Sequence, residues 1–491
     1  MRKLPYLVEL LVLVVLFLGA GGALRFGWQR TTPEFQEDYE ESNVLNAAAR
    51  TSQGLSPYPD PHQEPIVFNP YGPVVYYGLG PVISHYGVHF RAARIAVWCA
   101  ALACALLIAA IVGLVTRNWI PSLLFCAAYL CVAVVTSWIP VLRVDFFGVA
   151  FTLAGILVFL LSKDRRWLAA VPWVLAIFVK YTFVSAPAAA FFVLAWQRRW
   201  RDAWKLAGSC AAVAMAWFLY LQITTHGWFG FNMFRAHPDP STFKHLGWFF
   251  GTLLPLNHVA SFYGIGGLVS TFTILLLVLT VIGAFTVKMP ESRFLLLYAA
   301  VCLVITTITG AKLGSNHNHL LELTAALCLC AAVGYNSLRK EKEWIFAFAA
   351  LVALAFVAKT PRVWRNDVLR YYQPGVERGC PDFYALIKDH PGQRILSSNV
   401  GAVLVAGKPV LLSNPYVYSQ LMEHRGWEDS VAAKVNQRDY DLIALDSDIE
   451  GLRANKRFGW SEAFVNAVEK NYAVTHRYDC MQAGAVFERK P

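Results

Sequence analysis

Five carboxylate side chains lie within eight residues, directly after an N-terminal apolar stretch. They are Glu34, Glu37, Asp38, Glu40 and Glu41, in the sequence TTPEFQEDYEESNVLNAAAR. A carboxylate beside an acceptor hydroxyl can take its proton and so act as a general base. An acidic run of this kind is also typical of an ordinary solvated loop. The choice between the two interpretations therefore depends on which other polar residues reach the same place.

Further cations, carboxylates and imidazoles occur at the ends of later apolar stretches. They stand in LRVDFF, VKYTF and AKLGSNHNHLLEL and comprise Arg143, Asp145, Lys180, Lys312, Asn318, His319 and Glu322. Lysine and arginine can hold a phosphate and offset the charge that develops on it as it leaves. Simpler interpretations are a local ion pair between Arg143 and Asp145 and a Lys180 side chain that extends to the membrane surface. Glu322 lies one turn into an apolar stretch, where an ionisable group indicates a functional site.

His317 and His319 form an H-x-H pair, which is the spacing of a metal-ligand fragment. A third ligand is not evident, so these residues do not define a metal site by themselves. We predict no definite cofactor, and a divalent metal stays an alternative.

The composition is that of an integral membrane protein. Of 491 residues, 56% are hydrophobic and only 15% are charged, against roughly 45–50% and about 25% in average proteins. A net charge of +11 would suggest nucleic acid binding in a soluble protein. Here many of the basic residues lie in short loops between apolar stretches, where they fix orientation in the membrane. We therefore expect membrane lipids and no nucleic acid as partners.

The apolar stretches predict a polytopic α-helical membrane protein. A helix needs about 20 apolar residues to cross a hydrocarbon core of roughly 30 Å. The clear candidates are residues 4–24, 92–115, 119–140, 145–162, 206–224, 262–287, 293–311, 318–336 and 343–358. Residues 167–197 are too long for one span, and Lys180 and Tyr181 near their middle predict two short helices that meet at a polar turn. The total is about eleven spans, in a range of ten to thirteen. Residues 1–24 could also be a signal peptide, but Glu9 and the many later spans favour a retained helix.

Residues 71–90 decide the predicted topology. They are apolar but contain Pro73, Pro81, His85 and His89, which favours a helix lying along the membrane surface over a full span. With this choice the basic loops all fall on one side, as the positive-inside rule requires. The first outer loop, residues 25–91, and the tail then lie on the opposite face. We predict a multi-pass protein of the bacterial inner membrane with its C-terminal domain outside.

The tail, residues 361–491, differs in pattern from residues 1–360, which we assign to a transmembrane catalytic domain. Its short apolar runs RILSS, PVLLS, DLIAL and AGAVFE alternate with helical patterns, which predicts a small α/β domain outside the membrane. Cys380 and Cys480 are the only two of the ten cysteines that fall outside the apolar stretches. In an oxidising compartment we expect them to form a disulfide that ties the two ends of the domain together. Two free thiols are the alternative.

Taken in order, these segments resemble the GT-C superfamily of glycosyltransferases that depend on polyprenyl-phosphate sugars. The bacterial branch related to protein O-mannosyltransferases and aminoarabinose transferases is the most similar. DYEESNVLNAAARTSQGLSPY resembles the family's acidic motif, which a helix and G-x-x-x-Y follow, here with Gly54 and Tyr58. NPYGPVVYYGLGP resembles its aromatic-proline segment. RVDFFGVAFTLAGILVF, KYTFVSAPAA and NHNHLLELTAAL resemble its Arg-x-Asp element, outer-turn Lys and Asn-aromatic-x-x-Glu element. The resemblance covers roughly residues 1–340.

The resemblance implies a catalytic carboxylate and a phosphate site. The family's acidic position falls on Glu40, with Glu41 beside it and Asp38 two residues earlier, and the identity of the base stays open. Lys180 matches the position that approaches the lipid phosphate, and His319 replaces the usual aromatic residue. The implied substrate-binding residues are Tyr71, Arg143, Asp145, Lys180, Lys312, Asn318, His319 and Glu322.

We therefore expect an inverting glycosyltransferase that moves a sugar from a polyprenyl-phosphate donor to an acceptor on the outer face of the membrane. Its partners would be the lipid-linked sugar and a glycan, lipid or protein of the cell envelope. The main alternative is a membrane transporter or lipid flippase, and another is a non-catalytic scaffold whose tail binds partners. The polar residues gather at one face and not near the midplane, and the two halves show no paired broken helices, which argues against transport.

Overall fold

The computed structural model describes residues 3–236, 241–251, 266–286, 290–312, 314–357, 379–454 and 460–491. Up to residue 357, the regular secondary structure of the described residues is helical. Its helices are α1 (Lys3–Gln29), α2 (Glu41–Ser52), α3 (Pro73–Tyr86), α4 (Phe90–Thr116), α5 (Trp119–Cys131), α6 (Ala133–Trp138), α7 (Asp145–Leu161), α8 (Ala170–Ile177), α9 (Ser185–Trp196), α10 (Trp200–Thr224), α11 (Trp228–Phe234), α12 (Phe243–Gly251), α13 (Gly266–Thr286), α14 (Pro290–Gly310), α15 (Leu320–Leu338) and α16 (Lys342–Val357).

The prediction of a polytopic α-helical protein is confirmed. Among the described residues, five helices are both long and apolar enough to cross a membrane: Leu4–Gln29, Phe90–Thr116, Trp200–Thr224, Pro290–Gly310 and His317–Leu338. The other predicted spans coincide with shorter apolar helices. The predicted span 262–287 begins outside the described residues. The number of spans therefore stays a prediction.

The predicted span 119–140 is wrong in one respect, because it is not a single helix. The backbone of Val132 is extended, with φ −67° and ψ 128°, and separates α5 from α6. The hydroxyl of Thr136 donates to the carbonyl of Leu130 at 2.9 Å, which satisfies a backbone group that the break leaves without a helical partner. A broken helix is tolerated inside a membrane where such groups find new partners.

The prediction of two short helices within residues 167–197 is confirmed. A 3₁₀ turn over Arg166–Ala169 leads into α8, and α9 follows after a turn that contains Lys180. A helix also forms over Pro73–Tyr86, within the segment that we expect at the membrane surface. Helices α2 and α3 pack against each other, since Thr51 of α2 donates to the carbonyl of Tyr76 in α3 at 2.9 Å.

The chain after residue 378 forms the predicted α/β unit. Its helices are α17 (Cys380–Asp389), α18 (Val400–Val405), α19 (Pro415–Arg425), α20 (Ser430–Asn436), α21 (Ile449–Ala454) and α22 (Glu462–Asn471), and its strands are β1 (Ile395–Ser397), β2 (Leu442–Leu445), β3 (Tyr472–Cys480) and β4 (Ala483–Arg489). The sheet order is β1-β2-β4-β3, with β1 and β2 parallel and β4 antiparallel to both of its neighbours. The boundary that we place near residue 360 lies outside the described residues.

Three of the four predicted strands are present in the sheet, as β1, β2 and β4. PVLLS is the exception: instead of joining the sheet, Leu412 makes a single parallel bridge with Ile66 of the first outer loop. Strand β3 was not predicted. It is an edge strand of the sheet and most of its side chains are exposed, so the sequence lacks the apolar run that marks β1 and β2.

The predicted disulfide between Cys380 and Cys480 is confirmed. It joins the first residue of α17 to the last residue of β3 and closes a loop with a sequence separation of 100 residues. The bond therefore holds the first helix of the C-terminal unit against its edge strand.

The C-terminal unit packs on the first outer loop. The backbone N–H of Phe68 donates to the hydroxyl of Ser413 at 3.0 Å, and the carboxylate of Glu64 forms ion pairs with Arg394 at 2.9 Å and Lys434 at 2.6 Å. These contacts lie on both sides of the bridge at Ile66. They hold the segment before α19 against residues 64–68.

Candidate active site

Glu41 is fully engaged in the fold. Its carboxylate forms a bidentate pair with Arg94 of α4, with Oε1 at 2.9 Å from Nε and Oε2 at 2.6 Å from Nη2, and both side chains are 0% exposed. The backbone N–H groups of Glu37 and Leu142 also donate to it, each at 2.7 Å. Burial alone would raise the pKa of Glu41, but the charge and hydrogen bonds of Arg94 lower it below its usual value. The bonds of Glu41 thus fix the acidic loop to α4 and to the turn between α6 and α7.

Glu40 has a different environment from its neighbour. It is 3% exposed and stands at the N-cap position of α2. The side-chain amide of Asn43 donates to Oε2 at 3.1 Å, and that of Asn414, from the C-terminal unit, donates to Oε1 at 3.4 Å. Burial raises the pKa of Glu40, and the nearby charge of Arg143 offsets part of this rise. A raised pKa and neutral partners suit a carboxylate that accepts a proton.

Asp38 forms an ion pair with Arg143, whose Nη2 lies 2.7 Å from Oδ1. The same oxygen accepts the backbone N–H of Glu40 at 3.0 Å, so Asp38 fixes the start of the loop that carries Glu40. Burial raises the pKa of Asp38 despite the opposing charge of Arg143. Arg143 also donates from Nη1 to the hydroxyl of Tyr71 at 2.8 Å, and its guanidinium lies over the ring of Tyr39.

A second group of polar residues surrounds Lys180. Its ammonium donates to Oδ1 of Asp145 at 3.0 Å and contacts Nε2 of His319 at 3.1 Å. Asn318 donates to the other oxygen of Asp145 at 2.7 Å. Because an ammonium group can only donate, Nε2 of His319 is the acceptor and its proton is on Nδ1, which faces the hydroxyl of Thr309 at 3.3 Å. Three separate parts of the sequence thus meet at one buried cation.

These residues line a narrow cleft that is partly open to solvent. Its walls are Asp145, Lys180, Thr182, Phe183, Ile305, Thr306, Thr309, Asn318, His319 and Glu322. Glu322 is 6% exposed and accepts a hydrogen bond from the hydroxyl of Tyr298 at 3.3 Å. The cleft is therefore polar, with a cation, carboxylates, an imidazole and hydroxyl groups on its surface.

Tyr71 connects the two groups. Its hydroxyl accepts from Arg143, and the ammonium of Lys180 lies 5.6 Å from the centre of its ring, within the range of a cation–π contact. A continuous path therefore leads from Asp38 through Arg143 and Tyr71 to Lys180. The contacts described above include ten of the eleven predicted site residues, all except Lys312.

Lys312 lies at the edge of this arrangement, near enough for its charge to act on His319. It is half-buried, makes an isolated bridge with Ser241, and is absent from the walls of the cleft. A metal site is not evident either, since the described part of the chain contains no group of three or more His, Cys, Asp or Glu residues that could hold an ion. His319 is in contact with the ammonium of Lys180, which opposes binding of a second cation there.

Two residues of the site were not found from the sequence. Arg94 stands in FRAARIAVW, near the start of an apolar stretch, and a charge at that depth could have indicated a buried partner. Asn414 stands in SNPYVYS, where Asn followed by Pro is an ordinary helix-start signal. That pattern predicts the start of α19 but gives no indication of the contact with Glu40.

No family model matches the sequence, and no curated protein matches it. Solved structures do resemble it. ArnT from Cupriavidus metallidurans bound to undecaprenyl phosphate has a TM-score of 0.61 at 12% identity, covering 96% of this chain and 97% of that one. The archaeal oligosaccharyltransferase AglB from Archaeoglobus fulgidus, in complex with an inhibitory peptide and a dolichol-phosphate, has a TM-score of 0.57 at 12% identity, covering 95% of this chain and 72% of that one.

Both structures are GT-C glycosyltransferases. At this level of identity the similarity shows the fold. The chain therefore has the GT-C fold, as the order of its motifs predicts, with the helical region and the C-terminal α/β unit both included in the match.

Proposed function

From the GT-C fold and the paired polar groups, we propose that this protein is an inverting glycosyltransferase that uses a polyprenyl-phosphate sugar as its donor. The observation that carries the proposal is the path Asp38–Arg143–Tyr71–Lys180, which joins buried carboxylates to a cationic cleft. ArnT in the similar structure is bound to undecaprenyl phosphate, and AglB to dolichol-phosphate. Those ligands support a lipid phosphate as the leaving group here.

In the proposed reaction, Glu40 takes the proton from an acceptor hydroxyl. The oxygen then forms a bond to the anomeric carbon on the face opposite the phosphate, and the bond from that carbon to the phosphate oxygen breaks. Glu40 is favoured as the base because, among the described residues, the bonds that its side chain receives come from the neutral amides of Asn43 and Asn414. Asp38 is the second candidate, but its Oδ1 is already engaged by Arg143 and by the backbone N–H of Glu40.

Lys180 is proposed to hold the phosphate of the donor. Its ammonium has three hydrogens, and two of them are used by Asp145 and His319. The third remains for an oxygen of the phosphate, whose negative charge grows as the bond to the sugar breaks. Asn318 and Asp145 fix the direction of the ammonium, and Tyr71 and Arg143 lie between it and the base.

We place the acidic loop and the C-terminal unit on the outer face of a bacterial inner membrane, and the boundary between the two domains near residue 360. The basic loops support this orientation. On this side of the membrane the acceptor would be a glycan, lipid or protein of the cell envelope. A lipid-linked donor needs no nucleotide there, which agrees with a tail that lacks a Gly-rich phosphate loop.

The decisive experiment supplies the purified protein, in nanodiscs, with a panel of synthetic polyprenyl-phosphate pentoses and hexoses and an envelope extract as acceptor. Release of polyprenyl phosphate that depends on the acceptor, and that Glu40→Gln abolishes, is the expected result. In parallel, mass spectrometry of envelope glycans, lipids and proteins from a deletion strain should show the loss of one sugar.

The same purified protein, reconstituted into vesicles, distinguishes a transporter or flippase. Such a protein would move a fluorescent polyprenyl-phosphate sugar between the leaflets of a vesicle without releasing polyprenyl phosphate. It would also retain much of its activity in Glu40→Gln. This pair of results would contradict the transferase.

A further inference from the structure

Asn414 has a side chain whose orientation is fixed from both ends. It occupies the N-cap position of α19, where its Oδ1 accepts the backbone N–H of Val417 at 3.1 Å. With the oxygen committed to the helix, the amide nitrogen must face the other way, and it lies 3.4 Å from Oε1 of Glu40. The residue is 1% exposed, so water does not compete for this bond.

The segment around Asn414 is held firmly against the first outer loop. The backbone N–H of Ser413 donates to the carbonyl of Ile66 at 2.9 Å, and the hydroxyl of Ser413 accepts from Phe68 at 3.0 Å. On the other side, the ring of Tyr416 meets that of Tyr39 edge to face at 6.3 Å. Contacts before and after Asn414 thus fix its position relative to Glu40.

Tyr416 also reaches the loop that leads to the cleft. The Tyr416 hydroxyl lies beside the backbone of Gly314, since a Cβ built on that glycine would be only 3.1 Å from it. The start of α19 therefore contacts both the loop that carries the carboxylates and the loop that precedes Asn318 and His319. The C-terminal unit bridges the two halves of the site.

On the premise of the transferase function above, we propose that Asn414 is a positioning residue, which holds one oxygen of Glu40 while Asn43 holds the other. The two amides turn the carboxylate in a defined direction and stabilise its charged form. The C-terminal unit is then part of the catalytic site and does more than bind the acceptor or cover the membrane region.

The proposal predicts a change in the proton affinity of Glu40, because a hydrogen bond donated to a carboxylate favours its ionised state. The titratable and charged groups that face Glu40 are Asp38 and Arg143 from the loops and Tyr39, Tyr71 and Tyr76 around them. Asn414 is the contact from the C-terminal unit, so its replacement leaves those groups in place.

The test compares Asn414→Ser and Asn414→Asp with the wild-type protein. Serine and aspartate both serve as N-caps, so α19 keeps its start. Asn118→Ser is the matched control, since Asn118 also caps a helix through Oδ1, at Ile120, and donates its amide to another side chain, Asn336. It lies at the start of α5, in the loop after α4, away from the carboxylates.

Two measurements are made across pH. The first is the rate of labelling of Glu40 by dicyclohexylcarbodiimide, which reacts with protonated buried carboxyl groups, followed by peptide mass spectrometry. The second is kcat for release of polyprenyl phosphate. In Asn414→Ser we expect Glu40 to be labelled up to a higher pH than in the wild type. The acidic limb of the plot of kcat against pH should shift to higher pH with it, and kcat at neutral pH should fall roughly 3- to 10-fold. Asn414→Asp should show larger changes in the same direction, and KM for the donor should stay constant.

The results separate the proposal from the function on which it rests. Equal labelling profiles in wild type, Asn414→Ser and Asn118→Ser would overturn the role of Asn414. A fall in kcat by the same factor at every pH, with a lower melting temperature, would assign Asn414 to the fold alone and also overturn it. Labelling that shifts as expected in a protein that releases no polyprenyl phosphate from any donor would support the contact and contradict the transferase.

Discussion

The hydroxyl of Tyr71 accepts a hydrogen bond from Nη1 of Arg143 at 2.8 Å, and this contact joins two groups that the sequence places 72 residues apart. On one side Arg143 pairs with Asp38, and on the other the ring of Tyr71 faces Lys180. Asp38, which lies beside the proposed base, is thereby linked through direct contacts to the cation that we propose holds the phosphate. The predictions below test the parts of this path in turn.

Glu40→Gln should lower the rate of sugar transfer by roughly 10²- to 10⁴-fold, because the amide keeps the shape of the side chain but cannot take a proton. Asp38→Asn should have a smaller effect, through the position of Arg143. The measurement is acceptor-dependent release of polyprenyl phosphate at matched protein levels. Near-normal release by both variants would show that the general base does not lie in this loop.

Glu41→Gln should lower the stability of the protein and not the rate of sugar transfer by the folded protein, because it leaves the buried guanidinium of Arg94 without a counter-charge. Breaking one side of a buried ion pair typically costs about 3–5 kcal/mol. The melting temperature in detergent is the measurement. Asp202→Asn is the control, since its pair with Arg199 is 39% exposed on each side and exposed pairs contribute about 0–1 kcal/mol. Equal melting temperatures in the two variants would contradict the anchoring role of Glu41.

Lys180→Met should weaken binding of undecaprenyl phosphate by about 10- to 100-fold, because it deletes the donor of a charge-assisted hydrogen bond. Lys180→Arg should restore binding only in part, since the guanidinium has a different geometry. Binding is measured by native mass spectrometry in nanodiscs.

The double variant Lys180→Met/Asp145→Asn controls for misfolding, because it removes both members of the buried ion pair. It should melt near the wild-type temperature and still fail to bind. Unchanged affinity of Lys180→Met for undecaprenyl phosphate would contradict the phosphate-binding role and leave Lys180 only its ion pair with Asp145.

The disulfide between Cys380 and Cys480 should stabilise the C-terminal unit. Closing a loop of 100 residues is worth about 4–5 kcal/mol in the chain-entropy model. A non-reducing digest should yield a linked peptide that disappears with reductant, and reductant should lower the unfolding temperature of this unit. Cys380→Ser/Cys480→Ser should already melt low and respond to reductant no further. Two fully alkylatable thiols in freshly isolated protein would contradict both the bond and an oxidising location for the tail.

The first outer loop and the C-terminal unit should face the same side of the membrane, opposite the basic loops. Single cysteines at Ser56 and at the exposed Ala463 should react with an impermeant thiol reagent in intact cells. A cysteine at Lys163, in a basic loop, should react only after lysis. If Ser56→Cys also needs lysis, the predicted orientation is reversed and the carboxylates face the cytoplasm.

The sequence by itself determined the features that depend on local composition. Apolar stretches about 20 residues long predicted the helices, because crossing a bilayer requires that length. Lys180 within such a stretch predicted the turn between α8 and α9, and alternating apolar runs predicted three strands of the C-terminal sheet. The two cysteines outside the apolar stretches predicted their disulfide.

The tertiary structure alone decided which partners the polar residues have. Asp38, Glu40 and Glu41 are near neighbours in the sequence, and the structure places Arg143, two amides and Arg94 respectively beside them. In the same way, PVLLS has the composition of a strand but pairs with Ile66, outside the sheet.

The physical reason is the sequence separation of the residues that interact in each case. Hydrophobicity and helix propensity are summed over neighbouring residues, so they can be read from a short stretch of sequence. The proton affinity of a carboxylate depends on burial and on charges and donors a few ångströms away in space. For Glu40 one of those donors is Asn414, 374 residues further along the chain, and only the packing of the C-terminal unit on the first outer loop brings the two together.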